Sequence, residues 1–188
     1  MDVVSTNQRN KIHPHKFTMW VAIGAIIMMF AGLTSAYIVK SGQANWVDVQ
    51  TPVIFWYSTA VIMISSITIQ ASLRAFKQRN MKQFRTLFLT TLVLGLAFVI
   101  LQWTGFKWLW NQGVRFEGAG AGQFLYIIFG LHALHVLGGI VALIIISAQQ
   151  FFSRTRSYNN TPIEVMCIYW HFVDILWIYL LVFFIWIG

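Results

Sequence analysis

Five side chains in the second half of this 188-residue chain could do chemistry: His132, His135, Glu164, His171 and Asp174. Glu164, Cys167, His171 and Asp174 are spaced by three, four and three residues, so on a helix they form one stripe. His132 and His135 likewise share a helix face, continued by Gly139 and Ala142. Imidazoles and carboxylates on facing helices suit three roles. They could bind a metal or haem in a bundle core, or pass protons or ions through a membrane. They could also pair with one another and hold helix register. For a metal, the Glu-x-x-His repeat of di-metal bundles is missing. For a relay, the first three apolar segments supply no Asp, Glu or His.

These residues sit in segments that only a bilayer accommodates. The chain is 58% hydrophobic and 10% charged, against about 25% charged in an average soluble domain, so it cannot cover a globule with polar surface. It reads as an all-α integral membrane protein. Five apolar runs, at about 17–39, 52–73, 86–108, 122–150 and 163–187, are long enough to span. Residues 1–16 form a polar tail, and 17–188 a single five-helix membrane domain. The first run is too long for a removed signal peptide and reads as a retained helix.

The net charge of +8 does not indicate a nucleic-acid partner, because the basic residues lie between the apolar runs. Ten of the 13 Lys and Arg fall in the N-terminal tail, in 74–85 and in 154–156. By the positive-inside rule these face the cytoplasm, which leaves the C-terminus on the outer side of the membrane. Thr51-Pro52 and Thr161-Pro162 read as helix starts, each with a capping hydroxyl and proline at the first helical position. Glu164, three residues after Thr161, completes a capping box. Tryptophans 20, 46, 56, 103, 108, 110 and 186 fall near the membrane interfaces, where amphipathic rings settle. The single cysteine, Cys167, reads as a buried thiol. Asp174 and His135 both lie near the middle of their spans, so a hydrogen-bonded Asp174–His135 pair is expected.

Tyr169-Trp170-His171-Phe172-Val173-Asp174 followed by Trp177, with Glu164 seven residues before the histidine, resembles the last helix of subunit III of the haem-copper oxidases. Gly130-Leu131-His132-Ala133-Leu134-His135-Val136 is similar to the preceding helix of that family, in its order and separation. Weaker similarity runs from Ser65-Ser66 through Leu94-Gly95 to Gln102, and the five spans match the shorter bacterial form. The resemblance implies a non-redox subunit of a cytochrome c oxidase that reduces O₂ to water and pumps protons. Haem and copper would reside in partner subunits I and II. This chain would pack on subunit I, bind phospholipid and support proton uptake, within a larger respiratory supercomplex or outside one. His132, His135, Glu164, His171 and Asp174 would then form a structural or lipid-related polar network, without catalytic, cofactor or metal roles. A quinol-oxidase subunit III or the related accessory protein of nitric oxide reductase is the neighbouring alternative. A stand-alone metalloenzyme using His132, His135 and His171 is the alternative of another class. The chain departs from the family near Phe30-Ala31-Gly32: a membrane glutamate common there is absent, with Ile26 at about its place. A second family glutamate is also absent after Gln102, where the chain reads Trp103-Thr104-Gly105.

Overall fold

In a computed structural model, residues 14–42, 52–113, 120–152 and 161–187 are described. They form five helices: α1 (Pro14–Ser41), α2 (Ile54–Lys77), α3 (Met81–Asn111), α4 (Gly120–Phe152) and α5 (Thr161–Ile187). All five are long and apolar enough to cross a membrane.

The sequence of α2 and α3 explains their pairing. The buried residues of α2 include Phe55, Ser58, Ile62, Ser65, Ile69, Ser72 and Phe76, spaced alternately by three and four. Those of α3 are Phe84, Phe88, Thr91, Gly95, Phe98, Gln102, Gly105 and Leu109, with the same alternation. A 3.5-residue repeat on both helices makes each seam follow the other in a left-handed supercoil. Within lipid there is no hydrophobic force between helices, so close packing must supply the attraction. The small residues provide it. A Cβ on Gly105 would run into the Phe55 ring, and one on Gly95 would lie 2.9 Å from the Trp170 ring.

The turn between α2 and α3 is tighter than the basic stretch 74–85 suggests. Arg74 to Lys77 belong to the last turn of α2, and Met81 to Arg85 open α3, leaving Gln78, Arg79 and Asn80 between them. Asn80 N–H donates to Ala75 O and Arg79 N–H to Phe76 O, both at 3.0 Å, the pairing of a Schellman turn. Arg79 takes the left-handed conformation this requires, at φ 60°. Replacing it with glycine removes the Cβ conflict of that conformation. Arg79→Gly is therefore expected to leave the melting temperature unchanged or raise it slightly, as read by thermal unfolding of the purified protein.

The start of α2 differs from expectation, while α5 begins at Thr161. α2 begins at Ile54 behind Val53, which makes no side-chain cap. Pro52 precedes the helix and offers its carbonyl to Phe55 N–H; Thr51 lies outside the described residues. In α5, Glu164 turns its carboxylate to two lysines.

α5 is the centre of the bundle, packing against α1, α2 and α4, while α4 also contacts α1 and α3. α1 and α2 do not pack on one another, so a strip of α5 faces outward between them, through Ile175 and Val182. Trp20, Trp56, Trp103, Trp108, Trp110 and Trp186 are exposed, the condition for rings that sit at an interface; Trp46 lies outside the described residues.

Candidate functional site

The polar stripe of α5 is present, but the partners of Glu164, Cys167 and His171 come from α1 and α2. At the first turn, Glu164 Oε2 receives Lys16 Nζ of α1 at 2.6 Å, and Oε1 lies 3.0 Å from Lys77 Nζ of α2. One carboxylate thus ties the ends of two helices that do not otherwise meet. On the neighbouring pair, Arg85 donates to Gln150 O at 3.3 Å. These contacts gather the start of α1, the α2–α3 turn, the end of α4 and the start of α5 at one end of the bundle. Glu164→Gln should loosen that end modestly, since partly exposed pairs contribute at most about 1 kcal/mol each. A drop in melting temperature that shrinks at high salt is the expected reading; a loss unaffected by salt would point to packing instead.

One turn further in, Gln70 Oε1 accepts from Cys167 Sγ at 3.2 Å and lies 3.3 Å from His171 Nε2. His171 Nδ1 shares a 2.5 Å hydrogen bond with Ser66 Oγ. Asp174 comes next, 2% exposed, and neither carboxylate oxygen makes a hydrogen bond. Its polar neighbour is the Ser66 side chain of α2.

The expected Asp174–His135 pair does not form. The two residues are at similar depth, but helix rotation separates them. His135 lies on the α1 side of α4, edge-on to Phe30 at 5.8 Å, with Nδ1 2.7 Å from Leu131 O. Asp174 turns toward Ser66 on α2. Residue spacing reports height along a helix and the faces within it, but not which neighbour each face meets. Tyr169 joins α5 to α4 instead, donating its hydroxyl to His135 O at 2.9 Å.

His132 is 2% exposed, and neither ring nitrogen has a hydrogen-bond partner. Its ring lies 5.4 Å from Trp177 and 6.3 Å from Phe98. The three histidines therefore point in three directions. Among the described residues, no three His, Cys, Asp or Glu side chains converge as metal ligands would. The stand-alone metalloenzyme reading lacks its donor set.

Sequence reasoning missed the partners supplied by α2 and α3. Trp170 donates its indole N–H to Ser65 Oγ at 3.0 Å, and Trp177 donates to Thr59 Oγ1 at 2.9 Å. Gln102 donates to Ser58 Oγ at 2.8 Å, and Thr68 and Thr91 share a hydrogen bond at 2.9 Å. The signal was available: Ser58, Ser65 and Ser72 recur every seven residues inside an apolar run. Hydroxyls on such a seam are placed to pair across helices.

Comparison with known proteins identifies the family. The family described as "Cytochrome c oxidase subunit III" matches residues 16–188. The "Probable cytochrome c oxidase subunit 3" of Nocardia farcinica is 32% identical over 179 residues, covering 89% of this chain and 88% of the relative. The protein of the same description from Mycobacterium tuberculosis is 30% identical over 180 residues, covering 90% and 89%. The "Cytochrome c oxidase subunit 3" of a Bacillus species is 25% identical over 166 residues, covering 86% and 80%. With a family match over nearly its whole length and five helices able to span a membrane, this chain belongs to the cytochrome c oxidase subunit III family.

Proposed function

We propose that this chain is the non-redox subunit III of a bacterial respiratory cytochrome c oxidase, seated in the inner membrane beside the catalytic subunit. It supports the stability, lipid binding and proton uptake of that subunit while O₂ is reduced to water. The observation that carries the reading is the match to subunit III over 16–188. The bundle's chemistry agrees with it: the intramembrane polar groups link helices to one another through hydroxyls, amides and indoles. Haem and copper belong to partner subunits. The end that holds Lys16, Lys77, Arg85 and Glu164 faces the cytoplasm, by the excess of basic residues there. The C-terminal end of α5 faces the periplasm. The Arg74–Arg85 basic stretch sits where anionic lipid headgroups would gather.

Purification of the tagged chain from its native membrane tests this reading. Oxidase subunits I and II are expected to co-purify, with haem and copper accompanying those chains. Stoichiometric metal on the isolated chain would overturn it. Co-purification with a quinol-oxidizing or nitric-oxide-reducing core would select the neighbouring member of the family. His171→Ala is expected to lower retention of this subunit in the complex more than it lowers the initial rate of O₂ reduction.

A further inference from the structure

α1 and α2 each pack on α5 but not on one another, which leaves a lengthwise gap between them with α5 as its floor. The chemistry of this gap changes in order along its length. At one end, Lys16 of α1 and Lys77 of α2 meet over the Glu164 carboxylate, and Arg74 is exposed one turn from Lys77. Three cations stand there against one anion, a net charge of +2. Seven residues along α2 from Lys77, about 10 Å deeper by helix rise, comes the half-buried Gln70. Ile67 and Met63 continue that face of α2 by their three- and seven-residue spacing from Gln70. Ile175 and Val182 line α5, and all four apolar side chains are exposed.

The gap holds more donors than the protein uses. Each ammonium has three N–H donors, and the Glu164 carboxylate is what Lys16 and Lys77 share. Gln70 Oε1 accepts from Cys167 Sγ and lies 3.3 Å from His171 Nε2. Its amide nitrogen keeps two hydrogens to donate and makes no hydrogen bond among the described residues. Unpaired donors are costly in an apolar medium. What completes this gap must bring negative charge at the Glu164 end, an acceptor further in, and hydrocarbon beyond. A phospholipid carries these parts in that order: phosphate, ester carbonyls, acyl chains. A transmembrane helix fits less well. Helices approach closely over small residues, as α2 and α3 do at Gly105, whereas the α2 and α5 walls present Met63, Ile67, Ile175 and Val182.

We propose that the gap between α1 and α2 holds one anionic phospholipid of the leaflet at the Glu164 end. Its phosphate sits on Lys16, Lys77 and Arg74, and an ester carbonyl accepts from the Gln70 amide. One acyl chain lies along Ile67, Met63 and Ile175. The lipid thereby ties α1 to α2, which the described side chains do only through Glu164. The inference rests on the proposed function and deepens it: the lipid of that reading is given a class and a place in the bundle.

Photolabelling of the purified complex tests it, with phosphatidylglycerol that carries a diazirine in its acyl chain. Peptide mapping should place label on Met63 to Ile67 of α2 and around Ile175 of α5. Phosphatidylcholine with the same acyl chain should label these peptides about tenfold less. Lys77→Gln combined with Arg74→Gln, both at exposed positions, should lower phosphatidylglycerol labelling about tenfold. Gln70→Leu should lower it about threefold. Should Gln70→Leu fail to assemble, the exposed double variant alone decides. Equal labelling by the two lipids, or labelling unchanged in the double variant, means an apolar groove without headgroup recognition and overturns the proposal. Label missing from both peptides means that a helix of another subunit fills the gap, and overturns it too. None of these results alters co-purification with subunits I and II, so failure here is distinguishable from failure of the family role.

Discussion

Trp170→Ala should destabilize the bundle by roughly 3 kcal/mol. Large aromatic truncations in cores cost about 3–5 kcal/mol, and the lower end applies because lipid removes the water-transfer part of the loss. Trp170 is 1% exposed and joins three helices to α5 at once. Its ring packs where a Cβ would stand on Gly95 of α3 and on Gly139 of α4, and its N–H reaches Ser65 of α2. Alanine leaves a cavity at that junction and strands the Ser65 hydroxyl. Thermal unfolding of the purified complex, with retention of this subunit on a sizing column, reads the effect. Trp170→Phe, which keeps most of the volume and loses the hydrogen bond, is expected to cost about 1 kcal/mol. Equal melting temperatures for the native and alanine forms would show that the junction contributes nothing.

Gly105→Leu should have the next largest effect, through the opposite error. A Cβ at Gly105 overlaps the Phe55 ring and comes within 2.9 Å of Ile54 Cγ2 at the start of α2. The α2 backbone sits behind both side chains, so the helices must separate where the 3.5-residue seam is closest. Overpacking of this kind costs about 1–3 kcal/mol. Here it should lower the melting temperature and increase proteolysis near the α2–α3 hairpin. Pairing Gly105→Ala with Phe55→Leu supplies the check, since neighbours in contact couple by about 0.5–3 kcal/mol. Additive losses would mean that the close approach is not what holds α2 to α3.

Much of this molecule was legible in its residues because membrane insertion leaves few choices. An apolar run of twenty or more residues can satisfy its backbone in lipid only as a helix, so the existence and order of all five helices followed from composition. Helix ends were less legible. The helices run on past the apolar runs at 73 and 86 because a cap, not polarity, ends them: Arg79 closes α2 with its left-handed turn, and Asn80 opens α3 by accepting from Gln83 N–H. The 163–187 run exposed the α5 stripe, and its bounds placed Asp174 at the middle of that helix. It did not reveal that His135 turns to α1 while Asp174 turns to α2.

By itself, then, the sequence determined what the membrane enforces: five helices, their alternation, the gathering of basic residues at one end, and a family motif in the last two spans. The tertiary structure alone decided the partners. Rotation of each helix about its axis is a cooperative outcome of seams from several helices meeting at once, as Gly95, Gly139 and Ser65 meet at Trp170. No local pattern encodes that rotation. It is what gave Glu164 two lysines, gave His171 a serine and a glutamine, and left Asp174 buried without a hydrogen bond.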